Sequence, residues 1–62
     1  MIEDMIKNTL KRQPMTIEEV ANSLNISRAT ASKYLMVLET RGDISKREVG
    51  RAKLYFVKRL VF

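Results

Sequence analysis

The 62-residue sequence contains no cysteine, no histidine and no tryptophan, and only one proline and two glycines. Without cysteine, the chain can form neither a disulfide nor a thiolate metal site, and histidine is otherwise the commonest metal ligand and general base. We therefore expect no bound metal and no cofactor. The sequence also shows no nucleophile–base pair, phosphate-binding loop or cluster of metal ligands, so it predicts that the chain is not an enzyme.

The shortness of the chain predicts a single domain over residues 1–62. A chain of this size buries only roughly 60% of the surface that it exposes when unfolded, so it needs a well-packed core, a partner subunit or a ligand. We expect a homodimer for this reason. No apolar run approaches the ~20 residues of a membrane span, and the acids Glu3 and Asp4 argue against a signal peptide, so the sequence predicts a cytoplasmic protein outside the membrane.

Positive charge is concentrated in the second half of the chain. Residues 1–26 carry three Lys/Arg against four Asp/Glu, a net charge of −1, whereas residues 27–62 carry nine against three, a net charge of +6. This asymmetry indicates an anionic partner that meets the second half of the chain. Such a partner is most often nucleic acid and less often a membrane surface.

The first half of the chain predicts two helices. Residues 2–11 have apolar side chains at helical spacing and acids in their first turn, and Pro14 follows them. Thr16 and Glu19 then have the spacing of a capping box, in which each side chain accepts a hydrogen bond from the other residue's backbone. This pair predicts the start of a second helix over residues 17–24.

A third helix follows after a short turn. Asn25 suits the left-handed backbone at a helix end, and Ser27 can cap a new helix that begins at about Arg28. Gly42 predicts its end at Thr40 or Arg41. At 100° per residue, one side of this helix is apolar and predicted to be buried, with Ala31, Leu35 and Leu38. The opposite side carries Ala29, Lys33, Met36 and Thr40, flanked by Thr30 and Ser32.

The pattern changes after this helix and predicts a β-hairpin. Residues 44–49 and 53–57 are short stretches rich in β-forming residues, and Gly50 and Arg51 lie between them. The last residues include Leu60, Val61 and Phe62, which can extend the strand, meet a partner subunit or be the cut edge of a longer protein.

This order of elements resembles the winged helix-turn-helix DNA-binding family of small bacterial and archaeal regulators. The stretch MTIEEVANSLNISRATASKYLMVLETRGDI is similar to the family's helix pair, and SKREVGRAKLYFV is similar to its basic wing with glycine at the tip. The resemblance covers roughly residues 14–57. It implies a mostly α fold with a small β-hairpin, namely three helices and a two- to three-stranded wing. In the family, the second helix of the pair enters the major groove and the wing lies along the neighbouring backbone or minor groove.

The candidate DNA-binding residues offer hydrogen-bond donors, positive charge or small apolar contacts. Lys33 can donate to a guanine edge or a phosphate, and Ala29 or Met36 can touch a thymine methyl group. Arg28 lies at a helix N-terminus, where the free amides favour a phosphate. The full set is Ser27, Arg28, Ala29, Thr30, Ser32, Lys33 and Met36 around the third helix, and Lys46, Arg47, Arg51 and Lys53 on the wing, which we expect at backbone phosphates or a narrow minor groove.

Simpler explanations exist for several of these residues. A solvated helix surface also accounts for Thr30, Ser32 and Lys33, and lysines on an exposed strand discourage edge-to-edge aggregation whether or not they bind DNA. Met36 can contact a base, pack against the wing or be exposed. Tyr34 is expected to be partly buried, with its hydroxyl at the surface. Caps and solvated surfaces explain the acids Glu18, Glu19 and Glu39 better than catalysis does.

The sequence thus predicts a sequence-specific binder of double-stranded DNA that regulates transcription, most simply as a repressor that occupies its site, with no evident small-molecule effector. Alternatives are a winged-helix module for protein, RNA or left-handed Z-form nucleic acid, or the DNA-targeting domain of a larger protein. The Z-form binders carry an asparagine and a tyrosine where this chain has Ser32 and Met36, and their wing contains proline and tryptophan, which this wing lacks.

Overall fold

The computed structural model describes residues 2–58 and shows three helices followed by a hairpin. The helices are α1 (Ile2–Arg12), α2 (Ile17–Leu24) and α3 (Arg28–Arg41), and the strands are β1 (Ile44–Val49) and β2 (Ala52–Val57). The predicted elements are confirmed. α1 ends at Arg12, one residue later than predicted, and β2 begins at Ala52, one residue earlier than predicted. The predicted apolar contact through Leu60, Val61 and Phe62 lies outside the described residues.

The capping residues fix the ends of the second and third helices. Thr16 Oγ1 accepts from the Glu19 N–H at 3.2 Å, and the Glu19 carboxylate accepts from the Thr16 N–H at 2.9 Å, which completes the capping box. Asn25 ends α2 in the left-handed conformation with φ 55°, and Gly42 ends α3 with φ 85°. The predicted turn between α2 and α3 is therefore confirmed.

The core lies between the three helices and one face of the hairpin. It contains Ala31, Leu35 and Leu38 of α3, as the periodicity predicted, and side chains from every other element: Ile6, Leu10, Val20, Ala21, Ile44 and Tyr55. Tyr34 is half-buried and packs against this core, which confirms its predicted position. Between Ile2 and Lys58, no helix is both long and apolar enough to cross a membrane.

The hairpin, residues 44–57, is called the wing below, and it has a third backbone partner. Its strands pair antiparallel with Ile44 opposite Val57 and Val49 opposite Ala52. On the other side of β2, Met15 and Tyr55 exchange two backbone hydrogen bonds, of 3.0 Å and 2.7 Å. The segment between α1 and α2 therefore adds a single bridge to the two-stranded sheet, in keeping with the predicted two- to three-stranded wing.

Candidate nucleic-acid interface

The outer side of α3 presents a polar surface without acid. Ala29, Lys33, Met36 and Thr40 are all exposed, and Met36 retains 65% of its accessible surface. The Lys33 ammonium lies 5.7 Å from the centroid of the Tyr34 ring, within range of a cation–π contact. This contact holds the Lys33 ammonium at the helix surface. Of the positions considered for Met36, the structure shows an exposed side chain.

Ser27 and Thr30 form a hydroxyl pair at the start of α3. Ser27 Oγ accepts from the Thr30 N–H at 3.0 Å and donates to Thr30 Oγ1 at 2.8 Å. The cap thus fixes the position of the Thr30 side chain at the first turn of α3.

The wing cations point in different directions because side chains alternate across a strand. Lys46 is paired with Tyr55 in the sheet register, on the face that meets the core, and its ammonium lies 3.4 Å from Glu39 of α3. Arg47 lies on the opposite face. Lys46 therefore joins the base of the wing to α3 through an ion pair, a contact that the sequence did not predict, whereas Arg47 is exposed away from the core.

Three predicted cations meet in one cleft, called the basic cleft below. Its volume is about 390 Å³, and α2, the start of α3 and the tip of the wing each contribute to its walls. Arg28 enters it from α3, and Arg51 and Lys53 enter it from the wing. The lining residues are Thr16, Ile17, Glu18, Arg28, Arg51, Ala52 and Lys53. The first turn of α2 carries the acids Glu18 and Glu19, so the positive potential of this cleft comes from the three cations and not from that helix.

Glu18 is the acid among the described residues that line the basic cleft. Its carboxylate lies 3.6 Å from the Arg28 guanidinium, and the two side chains are 70% and 72% exposed. The contribution of α2 to this cleft was not predicted from the sequence. The capping box marked the start of the helix, but only the fold brings that start next to the wing.

The structure places nine of the eleven predicted residues on two surfaces and the other two elsewhere. Arg28, Arg51 and Lys53 share the basic cleft, while Ser27, Ala29, Thr30, Ser32, Lys33 and Met36 belong to α3 and its cap. Ser32 and Thr30 are half-buried at the flanks of the exposed side of that helix. Lys46 and Arg47 belong to neither surface, because one pairs with Glu39 and the other lies on the outer face of β1.

A capped helix pair with a polar outer helix and a cationic hairpin beside it defines a winged helix-turn-helix domain, the class predicted from the sequence. A family model described as "Sugar-specific transcriptional regulator TrmB" matches residues 7–60. The chain belongs to this family of transcriptional regulators. No curated protein sequence matches the chain significantly.

Solved structures of similar fold include DNA-binding proteins. One is a homodimeric winged helix-turn-helix DNA-binding domain from Mycobacterium bovis, a possible ArsR-family regulator, with a TM-score of 0.85 and 24% identity over 89% of this chain and 51% of that one. NolR from Sinorhizobium fredii has a TM-score of 0.81 and 22% identity over 87% of this chain and 54% of its own.

A third similar structure, described as giving structural insights into the DNA recognition and protein interaction domains of HOP2, has a TM-score of 0.80 and 24% identity over 90% of this chain and 97% of that one. The chain thus spans about half the length of the two bacterial structures. At this level of identity the three structures support the winged-helix fold alone.

Proposed function

We propose that this domain binds double-stranded DNA in a sequence-specific manner, with α3 in the major groove and the wing on the adjacent backbone or minor groove. The observation that carries the proposal is the exposed outer side of α3, free of acid, beside a cleft where Arg28, Arg51 and Lys53 converge. A major groove about 12 Å wide admits a helix, and the cationic cleft then faces the phosphates at its edge. Membership of a transcriptional regulator family supports this choice of partner.

The residues divide by role according to their chemistry. We assign base contacts to Ala29, Thr30, Ser32, Lys33 and Met36 on the exposed side and flanks of α3, where donors and small apolar groups meet base edges. Ser27 positions Thr30 and offers the first-turn amides of α3 to a phosphate. Phosphate contacts are assigned to Arg28, Arg47, Arg51 and Lys53. Lys46 supports the wing through Glu39 and adds positive charge near the backbone.

The proposed regulatory action is repression by occupancy of the DNA site. A domain bound to a stretch of duplex can block the access of other proteins to that stretch. Selection of bound duplexes from a random pool tests the proposed sequence-specific binding. We expect a palindromic consensus with half-sites about one helical turn apart. Equal affinity for every duplex would overturn the proposal of sequence-specific binding.

We further propose that the DNA-binding form is a homodimer, since the similar domain from Mycobacterium bovis is homodimeric and a small domain benefits from a partner. Light scattering or sedimentation at several concentrations is expected to give twice the 7.2 kDa mass of the chain. A mass of one chain at every concentration, with and without DNA, would refute the dimer.

Arg51→Ala is expected to weaken binding to all duplexes by a similar factor. Arg51 lies in the turn of the wing and lines the basic cleft. Its proposed partner is a phosphate, which every duplex presents whatever its sequence. Loss of one phosphate contact lowers the slope of log K against log salt by about one unit. Fluorescence anisotropy titrations at several salt concentrations measure both quantities. Lys11→Ala removes the same charge from α1, outside the basic cleft, and is expected to leave the slope nearly unchanged.

A further inference from the structure

The position of Glu18 in the basic cleft calls for a physical explanation. The acid faces Arg28 at 3.6 Å and lines a cleft to which Arg51 and Lys53 also contribute. A carboxylate here lowers the positive potential at the place where the phosphate contacts are proposed. Its presence therefore opposes the proposed function.

Two ordinary roles for Glu18 are insufficient. An ion pair between side chains that are 70% and 72% exposed contributes little to the stability of the fold. An acid in the first turn of a helix is favourable, but Glu19 already supplies that charge to α2 and also completes the capping box. Neither role requires a second acid beside Arg28.

We infer that Glu18 is an internal competitor for DNA phosphate. In the free protein its carboxylate holds Arg28, and a backbone phosphate that enters the basic cleft takes its place. This inference rests on the proposed DNA binding. Phosphate contacts supply essentially all of the affinity for non-specific DNA, so a competing carboxylate weakens the hold of the domain on any duplex and shortens its time on non-target sequences.

Glu18→Gln is the direct test, because glutamine keeps the size of the side chain and removes its charge. We expect binding to specific and scrambled duplexes to tighten by about two- to fivefold, the range expected for loss of one exposed ion pair. The slope of log K against log salt should change little, because Arg28 contacts phosphate in both complexes and the same counterions are released from DNA. Fluorescence anisotropy measures both effects.

Glu3→Gln is a matched control. It makes the same change of charge in the first turn of α1, and Glu3 does not line the basic cleft. Its effect on affinity should be distinctly smaller than that of Glu18→Gln. Glu18→Asp keeps the charge but is one methylene shorter, so its carboxylate reaches Arg28 less well, and its affinity should lie between those of wild type and Glu18→Gln. Far-UV circular dichroism establishes that each variant is folded.

A double-mutant cycle with Arg28→Ala isolates the pair. Once Arg28 is absent, Glu18→Gln should tighten binding distinctly less than it does in the wild-type background. The inference is overturned if Glu18→Gln tightens binding equally with and without Arg28, or if it leaves the affinity of the wild-type background unchanged. Absence of duplex binding by the wild type would instead refute the proposed function and the inference together, so the two failures are distinguishable.

Discussion

Leu35→Ala is expected to lower the free energy of unfolding by about 2–5 kcal/mol, the range for a buried leucine replaced by alanine. The Leu35 side chain is fully buried at the centre of α3, with Ala31 and Leu38 beside it in the core. A domain of this length has roughly 3–9 kcal/mol of stability at typical values per residue. The substitution therefore removes a large share of the total free energy of unfolding.

Urea denaturation followed by far-UV circular dichroism, at one fixed protein concentration, measures this loss. Met36→Ala is the matched control, since Met36 is the next residue of the same helix but is 65% exposed. We expect the control to stay within about 0.5 kcal/mol of wild type. Equal destabilisation by the two substitutions would contradict the assignment of Leu35 to the core.

Lys33→Ala is expected to weaken binding to the selected consensus by roughly 5- to 150-fold, which corresponds to the 1–3 kcal/mol of a good base contact. Lys33 is exposed at the middle of the outer side of α3, and its ammonium is held 5.7 Å from the centroid of the Tyr34 ring. The loss should be much smaller on scrambled duplexes, so base preference at one position should relax.

Competition titrations with duplexes that differ at single positions distinguish base contact from phosphate contact. Lys11→Ala again removes one lysine charge outside the outer side of α3 and controls for net charge. Equal weakening of every duplex by Lys33→Ala would assign Lys33 to the backbone, and an unchanged affinity would leave it a solvated residue. Arg51→Ala is expected to show the opposite pattern, a uniform loss of affinity for all duplexes. This difference separates the base contact proposed for Lys33 from the phosphate contact proposed for Arg51.

Local chemistry made most of the fold predictable. The capping box at Thr16 and Glu19, the left-handed Asn25 and the terminal Gly42 each depend on neighbours within a few residues, so the sequence alone placed the helix ends. The periodicity of α3 likewise identified Leu35 and Leu38 as core residues, and it placed Lys33 and Met36 on the exposed side, as the structure confirms.

Contacts between distant parts of the chain could not be predicted in this way. The pairing of Met15 with Tyr55 and the ion pair of Glu39 with Lys46 depend on how the wing folds back, and a single residue in extended backbone has no periodicity of its own. The basic cleft was missed for the same reason, because α2 and the wing meet only in three dimensions. The roles of individual residues in DNA binding remain predictions, since they depend on a duplex.

The bridge between Met15 and Tyr55 also determines where the wing is attached to the helix pair. Met15 directly precedes Thr16, so two backbone hydrogen bonds tie the root of β2 to the beginning of the helix pair. The hairpin is therefore attached through main-chain hydrogen bonds at Tyr55, whereas its tip around Gly50 and Arg51 has no such bond to the helices among the described residues. Because the attachment is made by main-chain atoms away from the tip, substitution of Arg51 leaves it in place.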